Sequence, residues 1–192
     1  MDTVKVLIQG FAQKLPDGRW NATSTTTLVR SEGKNVIIDP GLFPEDIKDA
    51  LQKEHLQISD IDWVVSSHSH QDHARNSKLF GKEKNFNPFL LYKKIPGDLV
   101  IPGTKIQVVY TPGHIDKHIA FLIDTAEGKC AVAGDVFWWE DDEEQKTDTD
   151  SLLVHVDPMA KDQKVLTESR KKLLSMADYI IPGHGKAFKV PH

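Results

Sequence analysis

One short stretch of the sequence concentrates side chains that bind metal ions. It holds three histidines and an aspartate within six positions, in the order His68, His70, Asp72 and His73. The stretch follows residues 61–66, a short apolar and β-branched run typical of a buried strand. Alternate residues of an extended backbone point the same way, so the first two histidines can bind one ion while the aspartate and the third histidine turn toward a neighbouring position. Imidazole and carboxylate ligands together favour zinc, iron(II) or manganese.

Three later motifs place further metal-binding residue types where a predicted strand ends. They end in His114, Asp135 and His184. Each has a glycine beside it, which lets the backbone bend close to an ion. The competing interpretation of the first stretch, a histidine-rich surface loop without a metal, leaves these matching residues unexplained.

The order and spacing of the four motifs resemble the metallo-β-lactamase fold superfamily of metallohydrolases, and the resemblance covers nearly the whole chain. It implies a fold of the α/β class, a four-layer αββα sandwich in which two mixed β-sheets carry helices on their outer faces. Periodicity alone predicts only one domain of the α/β or α+β type. We therefore predict a single metallo-β-lactamase-like domain over residues 1–192.

The resemblance also implies two divalent metal ions, preferably Zn²⁺, with Fe or Mn as alternatives. Asp72 is the predicted catalytic residue, because it would bind the second metal and orient a hydroxide that bridges the ions. The best-known dizinc β-lactamases carry a cysteine at the position of Asp135, so antibiotic hydrolysis is not the expected activity. By resemblance, the ligands are His68, His70 and His114 for the first metal, Asp72, His73 and His184 for the second, and Asp135 as the bridge.

Several residues near the motifs have two interpretations. Asp39 resembles an aspartate that supports the ligand loop, but it could equally close a turn. By its spacing in the superfamily, His118 is predicted to be a structural histidine rather than a ligand. Trp138 and Trp139 follow the third motif and either line a substrate pocket or pack in the core. Cys130 is predicted to be a small buried apolar residue.

The predicted reaction is the hydrolysis of an ester, thioester, lactone or phosphodiester by a metal-bridging hydroxide. Residues 21–28 and the compact motif spacing resemble the subfamily of metallo-β-lactamase domain-containing protein 1, which leaves an endoribonuclease open. A second alternative is a mononuclear iron oxygenase of the persulfide dioxygenase kind, with a single iron on His68, on His70 or its neighbours, and on Asp135. A third is a non-catalytic metal-binding protein.

Composition constrains the partners and the compartment. The formal net charge is −4 and no basic stripe is evident, which favours a small-molecule substrate and leaves nucleic acid open. No membrane partner is expected, and a homodimer is left open. The single cysteine and the absence of a signal-like start predict a cytoplasmic protein. The acidic run 140–144 predicts an exposed loop, which would disfavour polyanions if it bordered the pocket.

The local pattern predicts where the elements lie. Helices are expected over residues 44–56, 72–79 and 160–176, from their apolar spacing and helix-starting residues. Residues 88–92 and 99–101 are predicted to belong to a succession of short strands separated by turns.

Overall fold

The computed structural model describes residues 1–92 and 94–191. Within these ranges the chain forms eleven strands, five α-helices and three 3₁₀ helices. The strands are β1 (Thr3–Ile8), β2 (Phe11–Lys14), β3 (Trp20–Thr23), β4 (Thr26–Ser31), β5 (Lys34–Ile38), β6 (Trp63–Val65), β7 (Gln107–Tyr110), β8 (Ile119–Thr125), β9 (Gly128–Trp138), β10 (Tyr179–His184) and β11 (Phe188–Lys189). The α-helices are α1 (Pro44–Lys53), α2 (Gln71–Ala74), α3 (Pro88–Leu91), α4 (Thr149–Val154) and α5 (Gln163–Leu174). The 3₁₀ helices are Ile58–Asp60, Arg75–Phe80 and Lys82–Lys84.

Two mixed sheets form the centre of the molecule. The first has the strand order β1-β4-β5-β6, in which β5 and β6 pair in parallel and the other neighbours are antiparallel. The second has the order β11-β10-β9-β8-β7, with β9 and β10 in parallel. Strands β2 and β3 form a separate hairpin. Most of the predicted ligands lie on or just after these parallel pairs: β6 leads into the histidine-rich loop, and β9 and β10 carry Asp135 and His184. His114 instead follows β7, which pairs in antiparallel fashion.

Apolar side chains fill the spaces between four layers. On the outer face of the first sheet α1 buries Ile47 and Leu51, and on the outer face of the second α5 buries Leu166 and Leu173. Because the first sheet is covered on both faces, β5 is apolar and fully buried at consecutive positions 36–38. The predicted α/β class and four-layer αββα sandwich are confirmed. The cluster between the sheets includes Val29, Ile38, Val108, Phe121 and Val132.

The segment before β7 differs from the sequence prediction. Pro88–Leu91 forms α3 instead of a strand, because the Asn87 side chain accepts a hydrogen bond from the first turn and Pro88 occupies that turn. Residues 99–101 lie outside the strands, and Val100 makes only an isolated bridge. The apolar residues here suggested strands, whereas the capping residue and the proline determine the local structure.

Two predicted helices are shorter than the sequence indicated. α1 ends at Lys53, and His55 then adopts a left-handed conformation with a φ of 57°. α5 begins after Asp162, whose side chain accepts a hydrogen bond from the backbone N–H of Val165. α4 was not predicted, although Asp148 caps it in the same way.

Three smaller expectations have different outcomes. Cys130 is buried between the sheets, which confirms its predicted environment, and burial raises the pKa of its thiol to about 12. Within the described ranges, no helix is both long enough and apolar enough to span a bilayer. The single domain over residues 1–192 stays a prediction. His192, for which no ligand role was predicted, lies outside the described residues.

Candidate metal centre

The histidine-rich loop connects β6 to α2. The helix predicted over residues 72–79 is divided into α2 and the 3₁₀ helix Arg75–Phe80. The start of the loop is fixed by Asp39, whose carboxylate accepts hydrogen bonds from the backbone N–H of Ser67 at 2.6 Å and from its hydroxyl at 2.8 Å. Asp39 itself has a φ of 51°, which aims its side chain at the loop from the end of β5. These contacts bear out the interpretation of Asp39 as a support of the ligand loop rather than a plain turn residue.

All seven predicted ligands meet in one place and divide into two groups. Within each group, one ligand atom per residue lies within 4.8 Å of all the others. The six residues other than Asp135 are divided as the family resemblance implies, and Asp135, the predicted bridge, lies in the first group. The first group consists of His68, His70, His114 and Asp135, and the second of Asp72, His73 and His184.

The carboxylate of Asp135 faces both groups at once. Its Oδ2 lies 3.4 Å from Nε2 of His114 and 3.6 Å from Nε2 of His68. Its Oδ1 lies 3.1 Å from Nε2 of His73 and 3.6 Å from Nε2 of His184. A carboxylate can bridge two ions by presenting one oxygen to each, and this side chain has that orientation.

Two buried neighbours fix the position of Asp135. Gly134 has a φ of 52°, and a Cβ at that position would lie 2.5 Å from the Ser67 hydroxyl, so a side chain is excluded there. The backbone N–H of Asp135 donates to Nε2 of His118 at 3.2 Å. The His118 proton is therefore on Nδ1, which donates to the Thr111 hydroxyl at 2.9 Å. Burial lowers the pKa of His118 to about 3, so this ring is a neutral structural support, as its spacing predicted.

Asp39 also orients two of the ligand rings. Its Oδ2 accepts hydrogen bonds from Nδ1 of His73 at 2.9 Å and from the Ser67 hydroxyl. Because that hydroxyl gives its proton to Asp39, its oxygen accepts from Nδ1 of His68 at 3.0 Å. Both rings therefore donate through Nδ1 and turn Nε2 toward the centre, the arrangement typical of metal-binding histidines.

Two further rings are held from behind by other parts of the chain. Nδ1 of His114 lies 2.8 Å from Oδ2 of Asp157, which is buried. Nδ1 of His184 lies 2.9 Å from the carbonyl oxygen of Phe11 and 3.1 Å from that of Thr23. In both rings Nε2 is left facing the centre.

The donor atoms fit a bound cation. In the described part of the chain, Nε2 of His68, Nε2 of His73 and Oδ1 of Asp135 are buried without a hydrogen-bond partner. Buried polar atoms almost always have partners, and several unpartnered atoms that face one another indicate a missing positive charge. Nδ1 of His70 and Nε2 of His114 also face each other at 3.1 Å. The mixture of imidazole and carboxylate donors suits zinc, iron(II) or manganese.

Charges in the centre shift the pKa values of its members in opposite directions. Burial raises the pKa of Asp135, but His73 and His184 lower it more, to well below its ordinary value. Burial lowers the pKa of His73, but Asp135 and Asp39 raise it more, to well above its ordinary value. In the protein alone Asp135 is therefore ionised and His73 holds a proton, which a metal ion would displace.

A cavity of about 460 Å³ opens onto the centre. Trp20, Leu42 and Trp138 contribute to its apolar wall, and the two indoles pack edge to face with centroids 5.8 Å apart. Trp139 instead packs in the core against Phe188. Of the two interpretations of these tryptophans, the pocket therefore applies to Trp138 and the core to Trp139.

Asp157 could not be identified from the sequence, because it belongs to no motif and lies 43 positions from His114. A buried guanidinium, that of Arg170, donates to the backbone carbonyl of His155 and holds the segment that leads to Asp157. His55 and His155, for which no ligand role was predicted, lie outside both ligand groups.

Comparison with known proteins identifies the family. A sequence profile described as the Metallo-beta-lactamase superfamily matches residues 20–96. Metallo-beta-lactamase domain-containing protein 1 of Xenopus laevis is 30% identical over 200 residues, which cover 98% of this chain and 82% of that protein. The chain belongs to the metallo-β-lactamase superfamily. The predicted resemblance to the superfamily and to this subfamily is confirmed.

Solved structures agree with this metallo-β-lactamase fold. A metallo-β-lactamase-like protein from Thermotoga maritima has a TM-score of 0.70 at 20% identity, covering 98% of this chain and 99% of that one. AidC, described as a dizinc quorum-quenching lactonase in complex with a product, has a TM-score of 0.63 at 16% identity, covering 86% of this chain and 74% of that one. At these identities the similarity supports the fold alone.

Replacing Asp157 with asparagine should weaken metal binding by about 10- to 100-fold, because the partner of a ligand ring then loses its charge. Competition with a chromophoric zinc chelator measures this affinity. Burial lowers the pKa of His114, but its contacts with Asp157 and Asp135 raise it more. In metal-free protein, NMR titration should therefore find a lower His114 pKa in the variant. Asp150→Asn, an exposed change on α4, is the control, and equal affinities in both variants would contradict the prediction.

Proposed function

We propose that the protein is a metal-dependent hydrolase with two divalent ions, preferably zinc, that cleaves an ester, thioester, lactone or phosphodiester of a small molecule. The observation that carries the proposal is the orientation of Asp135, with one oxygen toward each of two ligand groups. Membership of the superfamily supports it, and AidC, with the same fold, is described as a dizinc lactonase. Zinc is preferred because five of the seven ligands are imidazoles.

The residues of the centre have separate roles in this reaction. Bound ions supply Lewis acidity and lower the pKa of coordinated water to near ~7. His68, His70 and His114 would hold the first ion. His73 and His184 would hold the second together with Asp72, whose Oδ2 lies 3.3 Å from Nε2 of His184. Asp135 would hold both ions.

Asp72 has a second role because it lines the cavity. Its carboxylate can accept a hydrogen bond from the attacking water and aim it at the substrate. Burial raises the pKa of Asp72, but the hydrogen bond to His184 and the charge of His73 lower it more. The carboxylate of Asp72 is therefore ionised at neutral pH and able to accept that hydrogen bond.

A small-molecule substrate is favoured over a nucleic acid for two reasons. The cavity volume of about 460 Å³ is in the ordinary range of small-molecule sites, about 300–1,000 Å³. Glu140, Asp142 and Glu143 line an adjoining cavity that shares Trp138 with it, and these carboxylates would repel a polyanion. A cytoplasmic location and the absence of a membrane partner complete the proposal, and a homodimer stays an open prediction.

The deciding experiment is elemental mass spectrometry on protein purified without a metal-affinity step, followed by assays of esters, thioesters, lactones and phosphodiesters. We expect about two zinc or manganese ions per chain and turnover of at least one class. About one iron per chain, with oxygen uptake in the presence of glutathione persulfide, would replace the proposal with an oxygenase. Two bound ions without any turnover would favour a non-catalytic metal-binding protein.

Asp72→Ala should lower kcat/KM by more than about 10²-fold, because loss of a ligand costs more than loss of its supporting neighbour. The metal content should fall from about two ions per chain to about one. Circular dichroism and the melting temperature of the metal-free protein test whether the fold is retained. His184→Ala should behave alike, whereas Asp46→Ala, an exposed change on α1, should leave activity and metal content intact. Full activity in the Asp72 variant would refute its assigned role.

Trp138 and Trp139 should respond differently to replacement by alanine. Trp138→Ala should raise KM for a substrate with an apolar part, because the cavity loses an aromatic wall. Trp139→Ala should lower the free energy of unfolding by about 3–5 kcal/mol, because it empties a core site, and leave KM of the folded enzyme unchanged. Denaturant titration and steady-state kinetics on both variants measure the two effects. An unchanged KM in the Trp138 variant would remove it from the binding site.

A further inference from the structure

One positively charged side chain stands out in the cavity. Among the described residues that line the cavity, Arg75 is the only lysine or arginine. It is exposed, and among the described residues no carboxylate forms an ion pair with it and no acceptor forms a hydrogen bond with its guanidinium. Arginines elsewhere on the surface do have such partners, as Arg19 has Asp17 and Arg30 has Glu54. Arg75 is therefore available to a ligand that enters the cavity.

The backbone places Arg75 next to the reacting centre. α2 ends at Ala74, and Arg75, its C-cap residue, keeps a right-handed helical conformation, so Arg75 lies three residues beyond Asp72 in helical backbone. Side chains three positions apart on a helix lie on the same face, with Cβ atoms about 5–6 Å apart. The carboxylate of Asp72 lies beside His184 and His73, and it forms no ion pair with Arg75 among the described contacts. The Arg75 guanidinium is therefore free, one helical turn from Asp72, a predicted metal ligand.

The other residues of the cavity wall indicate which further chemical features a substrate should have. The apolar residues of the cavity wall are Trp20, Leu42, Phe43, Trp138 and Met159. The acidic residues of this cavity, Asp72 and Asp135, belong to the ligand groups. Further carboxylates line the adjoining cavity, which shares Trp138 with this one. A ligand that fits both sides has an apolar body and a small anionic group at one place, because an extended polyanion would meet the acidic loop.

We propose that the substrate is a carboxylic ester or thioester with an apolar acyl chain and a single carboxylate, and that Arg75 binds this carboxylate. The proposal rests on the hydrolase function above and narrows its substrate class. A guanidinium binds a carboxylate through two parallel hydrogen bonds, which gives direction as well as affinity. With the carboxylate held at Arg75 and the chain against the indoles, the ester carbonyl would lie at the metal centre.

Matched substrates can separate the contribution of the carboxylate from that of the apolar chain. The 4-nitrophenyl monoesters of adipic and suberic acid carry a free carboxylate, and their methyl 4-nitrophenyl diesters carry the same chain with the charge removed. We expect the metal-loaded enzyme to prefer the free acids in kcat/KM. Arg75→Gln should reduce that preference by about 10-fold or more, the loss expected for a charge-assisted hydrogen bond, and change turnover of the diesters by less than about 2-fold.

Two further variants test whether geometry or net charge is responsible. Arg75→Lys keeps the charge but not the planar fork, so it should retain part of the preference. Lys164→Gln removes an exposed charge on α5, away from the cavity, and should leave the preference unchanged. A preference for the diesters, or an equal loss in the Arg75 and Lys164 variants, would overturn the proposal while leaving hydrolysis established.

A binding measurement covers the case in which none of these esters is turned over. Adipic acid monoanilide and its methyl ester can be titrated into the metal-loaded protein by calorimetry. Tighter binding of the free acid that is lost in Arg75→Gln would support the carboxylate site even if hydrolysis failed. Equal affinities of the two compounds for the unmodified protein would refute it.

Discussion

The structure depends on a cluster of buried ligand atoms that face one another without other partners. Nε2 of His68, Nε2 of His73 and Oδ1 of Asp135 are all removed from water, and none has a hydrogen bond in the described part of the protein. Burying such atoms is costly unless an opposite charge satisfies them. The surrounding fold supplies rigidity on every side, and the cluster is consequently a preformed site that a cation would stabilise.

A single side chain, that of Asp39, orients residues of this cluster. One carboxylate at the end of β5 holds the backbone of the ligand loop, the Ser67 hydroxyl and, through these contacts, the rings of His68 and His73. These two histidines belong to different ligand groups. The orientation of both groups therefore depends on the same buried side chain, and disturbance of either ring would reach the other through Asp39.

The clustering of the candidate ligands could be expected from sequence because their chemistry is local: each has a distinctive residue type beside a strand end, and four such motifs in order resemble one superfamily. Among their supporting residues, Asp39 and His118 could be predicted from the same resemblance, but Asp157 could not. Asp157 reaches His114 only through the packing of a distant segment, and Arg75 resembles any exposed arginine until its neighbours in space are known. The same limit explains α3, where Asn87 and Pro88 outweigh an apolar run that is typical of a strand. The local sequence identifies residues that could bind a metal better than it identifies the distant residues that the fold packs around them.

The contact between the His184 ring and the hairpin of β2 and β3 has a consequence for folding. The ring nitrogen meets the carbonyl oxygen of Phe11, 173 positions away in the chain, and that of Thr23, 161 positions away. Contacts of such separation form late, since the loop-closure entropy must be overcome first. During synthesis the histidine-rich loop emerges well before His184. Asp72 and His73 are therefore present in a partly folded chain before the third member of their group. We therefore expect the second ligand group to be completed late in folding.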